Sequence, residues 1–187
     1  MNYLKSFLPW IAFAVVATQF DWRWSAMTGL VLSVTLVLVA RRAGRKADSL
    51  IIEWSGLIFF ALIVAFSFSF PNSPLHTYTG ALTNVWLAVT AWGSLLLGQP
   101  FTLGIARTMT EPEFWNTPVF RRVNVIITIV WAVSFTIGGL GGMALLGYAP
   151  HATFALITLN ILCFALPIIF TVRYPRIVRA RYQQKAA

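Results

Sequence analysis

A few polar side chains lie inside long apolar runs of this sequence, and they are its strongest candidates for chemistry. The acid among them is Glu53, near the start of the apolar run 51–70. The amides are Asn84, Asn124 and Asn160. Charged or polar groups at membrane depth are costly and usually functional, so these four residues predict a polar path with Glu53 as a proton or cation site. Two alternatives remain: the amides can hold helices together, and Glu53 can be an interfacial acid paired with Arg45 or Lys46.

Arginines next to the apolar runs form a second candidate site. They are Arg41, Arg42, Arg107, Arg121 and Arg122. Several guanidinium groups at one membrane surface can bind a phosphate or a lipid headgroup. The alternative is that they only mark the membrane topology, with their aliphatic stems covering apolar surface and their charges in water.

Glycines inside a long apolar run predict close contact between helices. Gly138 and Gly142 are four residues apart with Gly139 between them. This spacing places small residues on one helix face and lets a second backbone approach closely. The partner helix can belong to the same chain or to another protomer, and a gating hinge is the lesser alternative.

Motifs for known catalytic chemistry are missing from the sequence. It has no phosphate-binding loop, no nucleophile elbow, no zinc-protease motif and no paired carboxylates. The single cysteine, Cys163, lies in an apolar run, and His76 and His151 sit near helix ends without a carboxylate shell. We therefore predict no catalytic residue, no metal site, no cofactor and a non-enzymatic role, with a membrane enzyme of unfamiliar type as the remaining alternative.

The apolar runs themselves predict an all-α polytopic membrane bundle. The chain has 187 residues, of which 58% are hydrophobic and 10% charged, whereas soluble domains carry about 25% charged residues. A helix needs about 20 residues to cross the hydrocarbon core, and about six segments approach this length. The single transmembrane domain 1–187 then has helices at 7–20, 24–40, 51–70, 80–98, 118–146 and 152–172, and a connection with a short helix at 99–117.

The basic residues predict the orientation of this bundle. A net charge of +9 is typical of nucleic-acid-binding proteins, but here the basic residues lie between apolar runs, which excludes a basic stripe on a soluble domain. Six helices put every lysine and arginine except Arg23 on one side, and positive residues concentrate on the cytoplasmic side. Both termini are therefore expected in the cytoplasm, and the protein in the plasma (inner) membrane.

A stretch late in the chain resembles a known family. Phe120-Arg121-Arg122-Val123-Asn124 followed by Trp131-Ala132-Val133-Ser134-Phe135, together with Phe7-Leu8-Pro9 near the start, is similar to the intracellular septation protein A family. The resemblance covers part of the chain. It implies a small polytopic bacterial inner-membrane protein for envelope maintenance, with partners in the cell-wall elongation or division machinery and no known catalytic residues.

Three functional hypotheses follow. The first is a non-enzymatic membrane protein that supports the envelope or an assembly through helix–helix contacts, using the glycine face and the 99–121 connection. The second is a small dimeric transporter or channel for an ion, an anion or a lipid headgroup. The third is an accessory subunit of a larger membrane complex. All three predict contact with membrane lipid and either a homo-oligomer or a membrane-protein partner.

Overall fold

The computed structural model describes residues 5–149 and 151–186, without the side chains of residue 48 and residues 181–186. These residues form seven α-helices, two short 3-10 helices and no strand, which confirms the predicted all-helical class. The α-helices are α1 Leu8–Val16, α2 Trp22–Arg42, α3 Ile51–Ser69, α4 Leu75–Leu96, α5 Phe101–Arg107, α6 Pro118–Tyr148 and α7 Thr153–Ala186. The 3-10 helices are Ala47–Ser49 and Pro112–Phe114.

Four helices, α2, α3, α6 and α7, are long and apolar enough to cross a membrane, which fits an integral membrane protein. The α4 and α5 pair, bent by 81° at its break, counts as a fifth if it is one span. Helix α1 has nine residues and rises about 13 Å, much less than the hydrocarbon thickness of about 30 Å. The first of the six predicted spans is thus a short helix that ends at Val16 and packs one face on the bundle, with Trp10 and Phe13 buried and Val15 exposed.

One end of the bundle, the tip end, contains the turn between α1 and α2. Asp21 caps α2, since its Oδ1 accepts hydrogen bonds from the backbone N of Arg23 at 2.9 Å and from its Nε at 2.8 Å. The hydrogen bond from the Arg23 side chain lowers the pKa of the Asp21 carboxyl below its usual value, and the bond from the Arg23 backbone N–H adds a smaller effect in the same direction. Trp22 Nε1 donates to the carbonyl oxygen of Pro71 at 3.1 Å, which joins this turn to the α3–α4 connection.

The opposite end of the bundle, which we call the basic end, contains the end of α2 and the starts of α3 and α6. Arg45 donates to the carbonyl oxygen of Ser49 at 3.2 Å, and Arg121 donates to that of Gly98 at 3.3 Å. Trp131 of α6 donates to Thr171 of α7 at 3.0 Å, so the arginine-rich end of α7 also points this way. The segregation of charge seen in the sequence is therefore a property of the folded bundle.

The three predicted interface glycines lie between α6 and α4 of the same chain. A Cβ atom at Gly138 would lie 2.9 Å from Asn84 Oδ1, and one at Gly142 would lie 3.3 Å from Ala81 Cβ. The partner is thus a helix of this chain. The hypothesis that this face is a contact surface for another protein is corrected, because α4 already covers it.

Gly139 makes the tightest of these contacts, and Gly139→Ala is expected to destabilise the protein. Its Cβ would lie 2.7 Å from Val85 Cγ2 and 3.0 Å from Val85 N. Overpacking costs about 1–3 kcal/mol, which exceeds the gain of up to about 1 kcal/mol from replacing a helical glycine with alanine. Thermal unfolding in detergent checks this. Gly147→Ala, in the same helix with no atom within 4 Å of its Cβ position, is the matched control, and equal stability of both variants would contradict this packing.

Helix α5 returns into the bundle because of the residues before it. Gly98 ends α4 with a φ of +68°, a conformation that favours glycine. Ser94 Oγ then accepts a hydrogen bond from the backbone N of Phe101 at 3.1 Å, so the first turn of α5 is anchored on α4. The Phe101 ring meets the Phe7 ring edge-on at 6.3 Å, and Phe7 stacks on Trp131 at 4.9 Å. The short helix is therefore part of the core.

Two local hydrogen bonds hold the rest of the α5–α6 connection. Thr117 caps α6, as its side chain accepts from the backbone N of Phe120 at 3.3 Å. Glu111 is the N-cap of the 3-10 helix Pro112–Phe114 and makes no side-chain cap hydrogen bond. Instead, Trp115 Nε1 donates to the Thr110 carbonyl at 2.9 Å and closes this turn.

Candidate functional site at the basic end

Glu53 is a buried acid, with 5% of its surface exposed. Its Oε1 accepts a hydrogen bond from Ser6 Oγ at 2.8 Å and lies 3.5 Å from Arg45 Nη1. Its Oε2 is also buried and has no hydrogen-bond partner among the described residues. One carboxylate oxygen is thus held in place while the other is left free inside the protein.

Three elements position this carboxylate. Glu53 lies in the first turn of α3, where the helix dipole favours a negative charge. Ser6 comes from the segment before α1. Arg45 comes from the connection after α2, and it divides its hydrogen bonds between Glu53 and the Ser49 carbonyl. A single contact at 3.5 Å is at the limit of hydrogen-bonding distance, so Arg45 compensates the buried charge only in part.

Asn84 and Asn160 are brought together in the middle of α4 and α7. Asn84 Nδ2 donates to Asn160 Oδ1 at 3.2 Å and to the Gly80 carbonyl at 3.1 Å. Asn84 Oδ1 is buried beside Gly138, without a partner in the described part of the chain. This is the arrangement expected for amides that join helices in a membrane.

Asn124 lies in a different network. Its Nδ2 donates to the Phe120 carbonyl at 2.9 Å. Thr102 Oγ1 donates to the Asn124 carbonyl at 3.0 Å and lies 2.8 Å from Thr128 Oγ1, which joins α5 to α6. The four residues of the predicted polar path therefore lie in three separate hydrogen-bond networks. No hydrogen bond among the described residues links Glu53 or Asn124 to the asparagine pair, because helix packing divides these side chains into separate layers.

The five predicted anion-binding arginines do not share one described contact. Arg41 donates to the Arg45 carbonyl at 3.1 Å, and Arg121 donates to that of Gly98. Arg107 stacks over the Trp115 ring at 5.6 Å. Arg42 and Arg122 are exposed. Two of the five guanidinium groups thus bond backbone carbonyls.

Three buried residues near the basic end are not predicted as site residues by the sequence: Ser6, Trp10 and Ser33. Serine and tryptophan are common in membrane helices as packing and interface residues, so no local signal sets these three apart. All three residues pack against α3: Ser6 donates a hydrogen bond to Glu53, and Trp10 and Ser33 lie beside Gly56.

The arrangement around Glu53 can bind and release one positive charge. A carboxylate oxygen without a donor accepts a proton or a small cation, and the nearby Arg45 limits how tightly such a charge is held. No model of a protein family matches this chain, and comparisons with curated proteins and with solved structures find no match. The assignment of this site therefore depends on its geometry.

Proposed function

We propose that this integral membrane protein is a small transport protein that takes up a positive charge at Glu53. The observation that carries the proposal is the free Oε2 of a carboxylate with only 5% of its surface exposed. Leaving a buried carboxylate partly unpaired is expensive. A fold that only needed helix contacts would gain stability by placing an apolar residue there. The unpartnered oxygen is therefore best explained by a ligand that binds to it reversibly.

The bent α4–α5 pair supports the same proposal. Irregular backbone at membrane depth is tolerated where protein covers it or where it lines a water-filled cavity, and transporters often place ion sites at broken helices. Here the break leads into α5, and a Cβ at Gly104 would collide with the backbone of Ser49, directly before the helix of Glu53. The short helix after the break thus packs against the segment that precedes the helix of Glu53. The charge asymmetry supports a cytoplasmic basic end, so Glu53 would exchange its charge with the cytoplasm.

Ion flux into liposomes tests the proposal. The full chain is reconstituted at known density, and a pH gradient or a sodium gradient is imposed with the membrane potential clamped by potassium and valinomycin. Proton flux is followed with an internal pH-sensitive dye and sodium flux with a radioactive tracer. We expect flux of one of the two ions above that of protein-free liposomes. Flux of neither, in liposomes whose protein is monodisperse and folded, would contradict the proposal.

A second candidate function, assembly with another membrane protein, is favoured by the exposure of α7. Only 17% of the apolar window of Thr153–Ala180 is buried inside the chain, and Ile161 and Leu166 are both exposed. This role would agree with the resemblance to the septation family and with a homo-oligomer.

Site-specific photo-crosslinking in native membranes tests the assembly role. A photoreactive residue at position 161 or 166 is expected to give a discrete crosslinked protein band. Position 89 on α4, where Val89 is 65% exposed, is the control. Equal labelling of lipid from all three positions, without a protein band, would contradict this role.

A further inference from the structure

The tip end of the bundle carries an open groove between the end of α1 and the start of α2. Its volume is about 480 Å³, and the side chains that line it are those of Val16, Phe20, Trp24 and Thr28. We call it the tip groove. Helix α1 ends at Val16, and the chain continues through turns at residues 17–20 before α2 begins. This early end of α1 leaves the first turns of α2 open on one side.

The walls of the tip groove are mostly hydrocarbon. Phe20 and Trp24 are 65% and 59% exposed, and the Trp24 ring meets the Phe68 ring edge-on at 6.2 Å. The Thr28 hydroxyl donates to the carbonyl oxygen of Trp24 at 2.9 Å, so it needs no partner from an occupant. Apolar clefts with aromatic walls are typical binding sites for apolar ligands. In a membrane the ligand of this kind is the acyl chain of a lipid.

The position of the groove along α2 fits such a chain. Trp24 and Thr28 follow Asp21, the N-cap of α2, by three and seven residues, and this spacing places them on one stripe of the helix. Seven residues rise about 10 Å, whereas one leaflet of the hydrocarbon core is about 15 Å thick, half of the core. A tryptophan near the start of a span is typical of the membrane interface. The groove therefore runs from the interface into the acyl-chain region.

An ion pair lies at the polar end of the same stripe. Arg23 Nε lies 2.8 Å from Asp21 Oδ1, and Arg23 Nη2 donates to Asp21 Oδ2 over a long 3.4 Å. A guanidinium group has five N–H donors, of which these two contacts use two, and both side chains are partly exposed. The pair has no net charge. It therefore suits a headgroup with one negative and one positive group, whereas an anionic lipid is attracted to the arginines of the basic end.

We propose that the tip groove binds a zwitterionic phospholipid, with one acyl chain in the groove and the headgroup on the Asp21–Arg23 pair. The phosphate accepts hydrogen bonds from the remaining donors of Arg23, whose planar guanidinium matches phosphate oxygens. The ammonium group of the lipid donates to the Asp21 carboxylate. This binding does not depend on the transport function proposed above, because Glu53 lies at the opposite end of the bundle.

Native mass spectrometry of the full chain tests the headgroup contacts. The protein is freed of lipid in detergent and mixed with equal amounts of phosphatidylethanolamine and phosphatidylglycerol that have the same acyl chains. We expect the wild type to retain one phosphatidylethanolamine. Asp21→Asn keeps a good N-cap residue, and Arg23→Gln keeps a polar side chain. Each is expected to weaken this binding about tenfold, as for the loss of one hydrogen bond to a charged group.

Filling the groove tests the acyl-chain contact in the same measurement. Thr28→Phe places a ring in the groove and is expected to lower the binding of phosphatidylethanolamine about tenfold. Thr35→Phe is the matched control, since Thr35 lies two turns further along α2, outside the groove. It is exposed, and its hydroxyl donates to the Val31 carbonyl at 2.8 Å, which is the bond that Thr28 makes to Trp24. This control should bind lipid like the wild type.

Three outcomes would overturn the proposal. The first is equal lipid binding by the wild type, Thr28→Phe and Thr35→Phe, which would remove the groove from the site. The second is a preference for phosphatidylglycerol, or binding that neither Asp21→Asn nor Arg23→Gln weakens, since either result contradicts the headgroup contacts. The third is a lipid-free protein dimer that Thr28→Phe dissociates, because a second copy of the chain would then occupy the groove.

Discussion

Glu53→Gln is expected to reduce ion flux to that of protein-free liposomes while the protein remains folded. Glutamine keeps the shape of the side chain and an oxygen that can accept the Ser6 hydrogen bond, but it neither carries a charge nor takes up a proton at neutral pH. A carboxylate with a buried free oxygen is costly to keep in the bundle. Removing its charge should therefore leave thermal stability equal or higher, which is the opposite of the expected effect on flux.

Glu113→Gln is the matched control for this prediction. Glu113 undergoes the same chemical change in the exposed 3-10 helix of the α5–α6 connection, so its flux should equal that of the wild type. Glu53→Asp keeps the charge on a shorter side chain and should retain part of the flux. Wild-type flux in Glu53→Gln would remove Glu53 from the transport site.

Gly104→Ala is expected to destabilise the protein more than any other glycine replacement considered. A Cβ atom at this position would collide with the carbonyl oxygen of Ser49 and would lie 2.7 Å from its carbonyl carbon. Ser49 cannot move freely, because its carbonyl also accepts from Arg45 at 3.2 Å and its residue closes a 3-10 turn. We expect a loss of about 3 kcal/mol, near the upper end for overpacking, seen as a lower unfolding temperature in detergent.

Gly93→Ala on α4 serves as the control for this prediction, since its Cβ would meet no atom within 4 Å. The gain from helix propensity is up to about 1 kcal/mol, so this variant should be neutral or slightly stabilised. Displacing Ser49 should also disturb Arg45, so any folded Gly104→Ala protein is expected to show altered flux. An unfolding temperature equal to that of Gly93→Ala would contradict the described contact between α5 and the 3-10 helix before α3.

The sequence alone was enough to predict the all-helical class. In a membrane each backbone group must be paired within its own segment, which leaves helices for apolar runs of this length. Helices α3 and α6 begin at Ile51 and Pro118, and a proline suits the first helical position because its missing N–H is not needed there. The choice of Glu53 as the notable acid also came from the sequence, because a single acid in an apolar run is visible without a fold.

The tertiary structure decided which side chains meet. Asn84 and Asn160 are 76 residues apart and form a hydrogen bond, whereas Asn124 joins Thr102 instead. Ser6 reaches Glu53, 47 residues further along the chain, because the segment before α1 packs beside the start of α3. The glycines of α6 predicted a close contact, but only the fold shows α4 as the partner. Periodicity and hydropathy are properties of one segment, whereas the contacts around Gly56 come from three helices, and no single segment carries a signal for them.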